Sequence, residues 1–192
     1  MIEAGLQITV VGAGNLAWSL IPALQAAGHH VHQLISRNPQ RLAEYGRAFH
    51  IAALHESMDA LLPSSEICIL CVPDQAIEQG VKELSRLPFR PLTLHVSGTT
   101  PLSKLKGLGK KVGVLYPLQT FSRGKQVSFQ GIPLCLEGTQ TSQPLLTRLG
   151  SSLSDSVQWM DSETRLRLHL GAVLVSNFPN ALFRLAEEQL QD

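Results

Sequence analysis

Near the start of the chain, Gly12, Ala13, Gly14, Asn15, Leu16 and Ala17 give the spacing G-x-G-x-x-A. These residue types at this spacing suit the pyrophosphate of a dinucleotide. Gly12 can make the tight turn off a strand, Gly14 has no Cβ to hold a phosphate away from the main chain, and Ala17 lets a following helix lie close to a sheet. The helix opening at Asn15 and Leu16 offers unpaired backbone N–H groups and the positive end of its dipole to phosphate oxygens. Context strengthens the motif: Leu6, Ile8, Val10 and Val11 precede it as a strand-like run, and Leu16, Leu20, Leu24 and Ala27 follow in helical register. The same spacing also fits a phosphate loop or a purely structural turn.

A second group of residues bears on which cofactor is held. NAD-binding domains place Asp or Glu at the end of the second strand, about 20 residues past the glycines. Here Ser36, Arg37 and Asn38 occupy that place. An Arg guanidinium pairs with a 2′-phosphate and stacks on adenine, so NADP is expected, with NAD still possible if Arg37 is only a solvated loop residue. In an open parallel sheet, ligands lie beyond the carboxyl ends of the strands. That puts Val72 and Pro73 along the path of a nicotinamide ribose. It also puts Ser97 and Gly98 beside the ring or substrate, where a small hydroxyl and bare backbone leave room. Asp74 reads first as a helix N-cap and second as a ligand contact. His95 is a candidate acid, although a histidine at a strand end is also commonly a packed structural group.

The elements that must carry these residues alternate regularly. Strands are expected at 6–11, 31–36, 67–72, 92–96, 112–115, 133–136 and 157–160, with helices at 15–27, 38–47, 57–62, 73–84 and 143–153. Gly28 stops the first helix, Pro22 should bend it, and Asn38 with Pro39 opens the second. Strands apolar on both faces and alternating with helices imply a doubly wound, mostly parallel α/β domain over residues 1–160. A long apolar helix is expected to follow, from about 165 to 190. Pro179 should kink that helix. Its apolar faces need cover, which a second copy in a homodimer would give.

Composition excludes several classes. With 16 Lys and Arg against 15 Asp and Glu, the 192-residue chain has a net charge of +1 and no nucleic-acid footprint. The start carries Glu3, and no apolar run approaches the ~20 residues that span a bilayer. A cytoplasmic protein acting on a small molecule is expected, with neither nucleic acid nor membrane as partner. Cys68 and Cys71 form a CxxC string, but within the strand-like EICILCV they point to opposite faces. They read as core residues, as does Cys135, and no metal site is expected.

Taken in order, GAGNLA, SRN, CVPD, HVSGTTPL, LYPLQTF and GAVLVSNFPNALFRLAEE resemble the oxidoreductases that join a Rossmann-like domain to a helical domain of unknown function, DUF2520. More distantly they are similar to pyrroline-5-carboxylate reductase and the β-hydroxyacid dehydrogenases. The resemblance covers essentially the whole chain and implies that residues 161–192 begin a second, helical domain that is largely missing. It implies NADP-type binding in the first domain and a substrate cleft between the two, with His95, Ser97, Pro117, Gln119 and Asn177 around it. His95, Ser97 and Asn177 are the catalytic candidates. β-Hydroxyacid dehydrogenases carry a lysine about one turn before the asparagine of the interdomain helix. Here Ala172, Val173, Leu174 and Val175 stand there instead, so the analogy to hydroxyacid oxidation fails. The expected function is NADP-dependent hydride transfer to a small carbonyl or imine. The alternative is an NADP-binding or nucleotide-sensing module without turnover. A methyltransferase, which would want an acidic residue after the second strand, is disfavoured by Arg37.

Overall fold

The computed structural model describes residues 5–190; residues 1–4, with Glu3, and residues 191–192, the outer ends of both expected domains, lie outside the described residues. Strands β1 (Gln7–Val11), β2 (His30–Ile35), β3 (Ala53–His55), β4 (Ile67–Leu70), β5 (Leu92–His95) and β6 (Val112–Pro117) run parallel. β7 (Leu134–Gly138) pairs antiparallel with β6, and β8 (Val157–Trp159) runs parallel to β7. The sheet order is β3-β2-β1-β4-β5-β6-β7-β8, so the chain reverses direction across the sheet between β1 and β4. In open α/β sheets that switch point is where ligands bind.

Helices α1 (Asn15–Ala26), α2 (Pro39–Phe49) and α4 (Gln143–Leu153) pack their apolar residues on one side of the sheet. Helix α3 (Asp74–Leu84) covers the other side with the 3₁₀ segment Leu102–Leu108. Two-sided cover explains the continuous apolar strands, of which Ile67–Leu70 is buried at every position. It also separates the cysteines: Cys71 lies in the core beneath α1 and α2, and Cys68 in the core beneath α3. Burial pushes the Cys68 thiol up to about 12 and raises that of Cys71 too, so both are unreactive.

Local signals account for most boundaries. Gly28, at φ +83°, lies just beyond the end of α1, and Asn38 Oδ1 accepts the Arg41 N–H at 3.0 Å to cap α2. Three expectations are corrected. The helix at 57–62 is a single 3₁₀ turn, Met58–Ala60, and 102–108, not expected as helix, forms a 3₁₀ segment that buries Leu105 and Leu108. The long helix begins at Ser162, because Asp161 accepts the Thr164 N–H at 2.8 Å and caps it.

That last helix is not uniform. A π turn, Val173–Asn177, joins α5 (Ser162–Ala172) to α6 (Phe178–Leu190). Pro179 has no N–H to donate and its ring crowds the carbonyl four residues back, at Val175; a widened turn accommodates both, so the expected kink takes this form. Leu174, Phe178, Leu182 and Phe183 are each more than half exposed. No helix among the described residues is long and apolar enough to cross a membrane.

Candidate functional site

The glycine turn joins β1 to α1 at the switch point. Gly12 has φ +104°, its N–H donates to Ile35 O at 2.7 Å, and a Cβ there would lie 2.3 Å from Cys71 O. Only glycine fits. Gly14 is different: its backbone is extended and a Cβ would meet nothing nearer than Cys71 O at 3.8 Å. It precedes α1 without any side-chain cap, so the N–H groups of the first turn keep their capacity to bind an anion. Helix α2 fixes the carbonyl side of the turn: Arg41 Nη1 donates to Ala13 O at 3.3 Å and Tyr45 Oη to Gly14 O at 2.9 Å.

A cavity of about 570 Å³ opens from this turn, within the size range of cofactor sites. Gly12, Ala13 and Gly14 line one end, Ser36, Arg37 and Asn38 another, and Val72 and Pro73 the rim at β4. The structure thus brings these three sequence-distant groups together. Asn15, Leu16, Ser97 and Gly98 are not among the lining residues. Sequence reasoning missed Arg41, which reaches the same cavity from the first turn of α2, only four residues past Arg37. It also missed Glu56, just past β3, a strand too short to leave a periodic signal, and Asp59, in the 3₁₀ turn that follows.

Beyond this cavity, the ends of β4, β5 and β6 hold a second constellation. Asp74 is not the N-cap of α3, a place taken by Pro73; it is the first helical residue. Its carboxylate accepts from Ser97 Oγ at 2.8 Å and from Thr99 Oγ1. Ser97 Oγ in turn accepts the N–H groups of Thr99 and Thr100 at 3.1 and 2.9 Å, which uses its full hydrogen-bonding capacity. Asn177 sits on the π turn, where its Oδ1 accepts from Thr120 Oγ1 at 3.5 Å. Gln119 Oε1 accepts the Thr120 N–H at 2.9 Å, and Pro117 ends β6.

His95 is fully buried, and its Nδ1 accepts the Ser97 N–H at 3.2 Å, which assigns the ring proton to Nε2. Nε2 has no hydrogen-bond partner among the described residues. Burial first, and the positive charge of Arg165 second, push this imidazole down to about 4. The unfolded chain takes up the His95 proton below about 6.5, whereas the folded chain resists until about 4. Stability from this group is therefore complete above 6.5 and lost as pH falls toward 4. The gap is worth about 3 kcal/mol. Urea unfolding at pH 7, 5.5 and 4 is expected to show this loss and His95→Gln to reduce it; an unchanged slope in the variant would contradict it. His29 and His32, also lowered by burial, act in the same direction.

The space beside Gly98 is filled by side chains: a Cβ there would lie 2.6 Å from His169 Nδ1 and 2.8 Å from Tyr116 Cζ. Tyr116 Oη and His169 Nδ1 are hydrogen-bonded at 2.8 Å, joining β6 to α5. Neither residue carries a local signal, since they meet only through tertiary structure. Helix α5 is itself anchored by Arg165, which is buried, pairs with Glu137 of β7 and donates from Nη2 to Thr100 O at 2.6 Å.

Comparison with known proteins gives two family matches: NADP oxidoreductase, coenzyme F420-dependent, over residues 7–92, and the domain of unknown function DUF2520 over residues 132–192. The second begins ahead of β7 and so takes in α4 and the last two strands as well as the long helix. Among solved structures, a Bacteroides fragilis protein provisionally named an NADP oxidoreductase is 31% identical, with a TM-score of 0.89 over 97% of this chain and 73% of that one. Prephenate dehydrogenase from A. aeolicus, solved with hydroxyphenyl propionate and NAD+, gives a TM-score of 0.77 at 17% identity, covering 100% of this chain and 71% of that one. A reductive aminase from Aspergillus terreus, solved with NADPH and ethyl levulinate, gives 0.71 at 15% identity, covering 98% and 66%. The last two show a common fold alone. No curated protein matches.

Proposed function

The chain belongs to the Rossmann-fold DUF2520 family of oxidoreductases, and on that premise we propose that it binds NADP(H) and moves a hydride between the nicotinamide and a small carbonyl or imine. The observation that carries this reading is the uncapped N-terminus of α1 behind Gly14, opening on a cavity that also holds Arg37 and Arg41. The residues fit the cofactor. A diphosphate would take the N–H groups at Asn15 and Leu16, and a 2′-phosphate the guanidinium groups of Arg37 and Arg41 with Ser36 and Asn38. The nicotinamide ribose would run along Val72 and Pro73 toward Ser97 and Gly98. Bound there, the reduced nicotinamide supplies the hydride. We assign His95 and Ser97 to holding the loop after β5 in shape, and Asn177 to a hydrogen bond with the substrate.

The alternative, a cofactor-holding module without turnover, draws on the absence of a lysine in the turn before Asn177. Three buried, unbridged cysteines fit a reducing, cytoplasmic setting, and the exposed apolar side of α6 fits packing against a second copy in a homodimer.

Calorimetric titration tests the cofactor assignment. The chain is expected to prefer NADPH over NADH, and Arg37→Ala to weaken NADPH by about tenfold while leaving NADH nearly unchanged; Arg41→Ala, which also releases Ala13 O, is expected to weaken both. Equal affinity for the two cofactors in the unaltered chain would overturn the NADP assignment.

A further inference from the structure

We propose that the Tyr116 hydroxyl, hydrogen-bonded to His169, donates the proton to the substrate oxygen or nitrogen, and that His169 replaces it. This rests on the hydride-transfer reading above. The pair lies at the carboxyl edge of the sheet: β6 is parallel to β5, with His95 opposite Val114, so Tyr116 stands two residues further on, level with Ser97. Gly98 lies directly against both rings, and a side chain there would collide with them.

The other groups at this edge are poor donors. Ser97 has its proton on Asp74 and both lone pairs engaged. His95 is enclosed and neutral, and Asn177 is an amide. Tyr116 Oη has a single partner, so its oxygen keeps capacity for a second hydrogen bond. His169 lies one helical turn after Arg165, on the same face of α5, so the buried Arg165–Glu137 pair sets its position. Burial pushes the phenol up to about 12, so near neutrality it holds its proton and needs a neighbour to supply the next one. The ionisable groups that face it are His169 and Arg165 from α5 and Cys135 from β7.

As the carbon receives the hydride, the π pair of the C=O or C=N bond moves to the heteroatom, which takes the proton from Tyr116 Oη. Oη takes the proton on Nδ1 of the His169 imidazolium, leaving a neutral imidazole that solvent reprotonates. In the imidazolium form Nδ1–H points at Oη, which frees the phenol proton for the substrate; in the neutral form the phenol donates to Nδ1 instead.

The test uses the full chain, Tyr116→Phe and His169→Gln, with cyclohexanone and 1-pyrroline as carbonyl and imine probes. Calorimetry of NADPH and NMR of ¹⁵N-labelled histidine accompany the rate measurements. Tyr116→Phe is expected to lower kcat at least about 100-fold with NADPH affinity unchanged, and to alter the tautomer balance of neutral His169, whose proton otherwise sits on Nε2. His169→Gln is expected to lower kcat less than Tyr116→Phe does. An unaltered kcat in Tyr116→Phe, with NADPH still bound and both probes still reduced, would overturn the assignment to Tyr116 and leave the hydride-transfer reading standing. A chain that binds NADPH but reduces neither probe would overturn both.

Discussion

Replacing Glu137 with alanine is expected to destabilise the fold by about 3–5 kcal/mol. Arg165 is fully buried, and its guanidinium is held by Glu137, by Thr100 O and at longer range by Ser162, while its Nε has no hydrogen-bond partner among the described residues. Removing the carboxylate strands a positive charge in the interior, left with Thr100 O and the more distant Ser162 Oγ as acceptors. It also frees Ser162 Oγ, which lies 2.8 and 2.9 Å from the Glu137 oxygens and accepts the Leu102 N–H at 3.0 Å. The attachment of α5 to the sheet and to the loop after β5 would loosen together. Replacing both partners with apolar residues, Glu137→Leu with Arg165→Met, is expected to recover most of the loss, because no charge is then left buried. Urea unfolding measures both; a Glu137→Ala variant within about 1 kcal/mol of the unaltered chain would show that water reaches Arg165 and that the pair is not a structural anchor.

How far the sequence could be read depended on how local each signal was. The glycine turn was legible because Gly12 answers a backbone conformation that only glycine tolerates, and because strand and helix patterns flank it directly. The same holds for Asn38 and Pro39, whose cap is made within three residues. Contacts between distant segments left no such trace. Arg165 and Glu137 stand 28 residues apart, and Tyr116 and His169 stand 53 apart. In RLRLHL, arginine and histidine alternate with leucine, and the pattern does not say that Arg165 points inward while Leu170 faces out. Gly98 is instructive: its lack of a side chain read as room for a ring, and on the side where a Cβ would stand it is Tyr116 and His169 that need the space. Asp74 read as a cap because such residues often are, yet its partners lie across the sheet edge at Ser97 and Thr99.

The second large effect concerns Gly14, and it separates cofactor binding from folding. At φ −101° and ψ 179° its backbone is extended, a conformation open to any residue, and the nearest atom to an added Cβ is 3.8 Å away. Gly14→Val should therefore fold, with a Tm lower by only a few degrees, the cost of valine at an N-cap. Its side chain would project toward the first-turn N–H groups of α1, where a diphosphate must come close to the main chain. Gly12 offers no such separation, because its positive φ and the 2.3 Å approach to Cys71 O make any substitution a folding defect. Calorimetric titration of NADPH into the unaltered chain and into Gly14→Val is the most direct measurement of whether the cofactor lies on this turn. Saturable binding in the first and at least about 100-fold weaker binding in the second is the predicted result. NADPH bound equally well by both would contradict it and move the diphosphate away from α1.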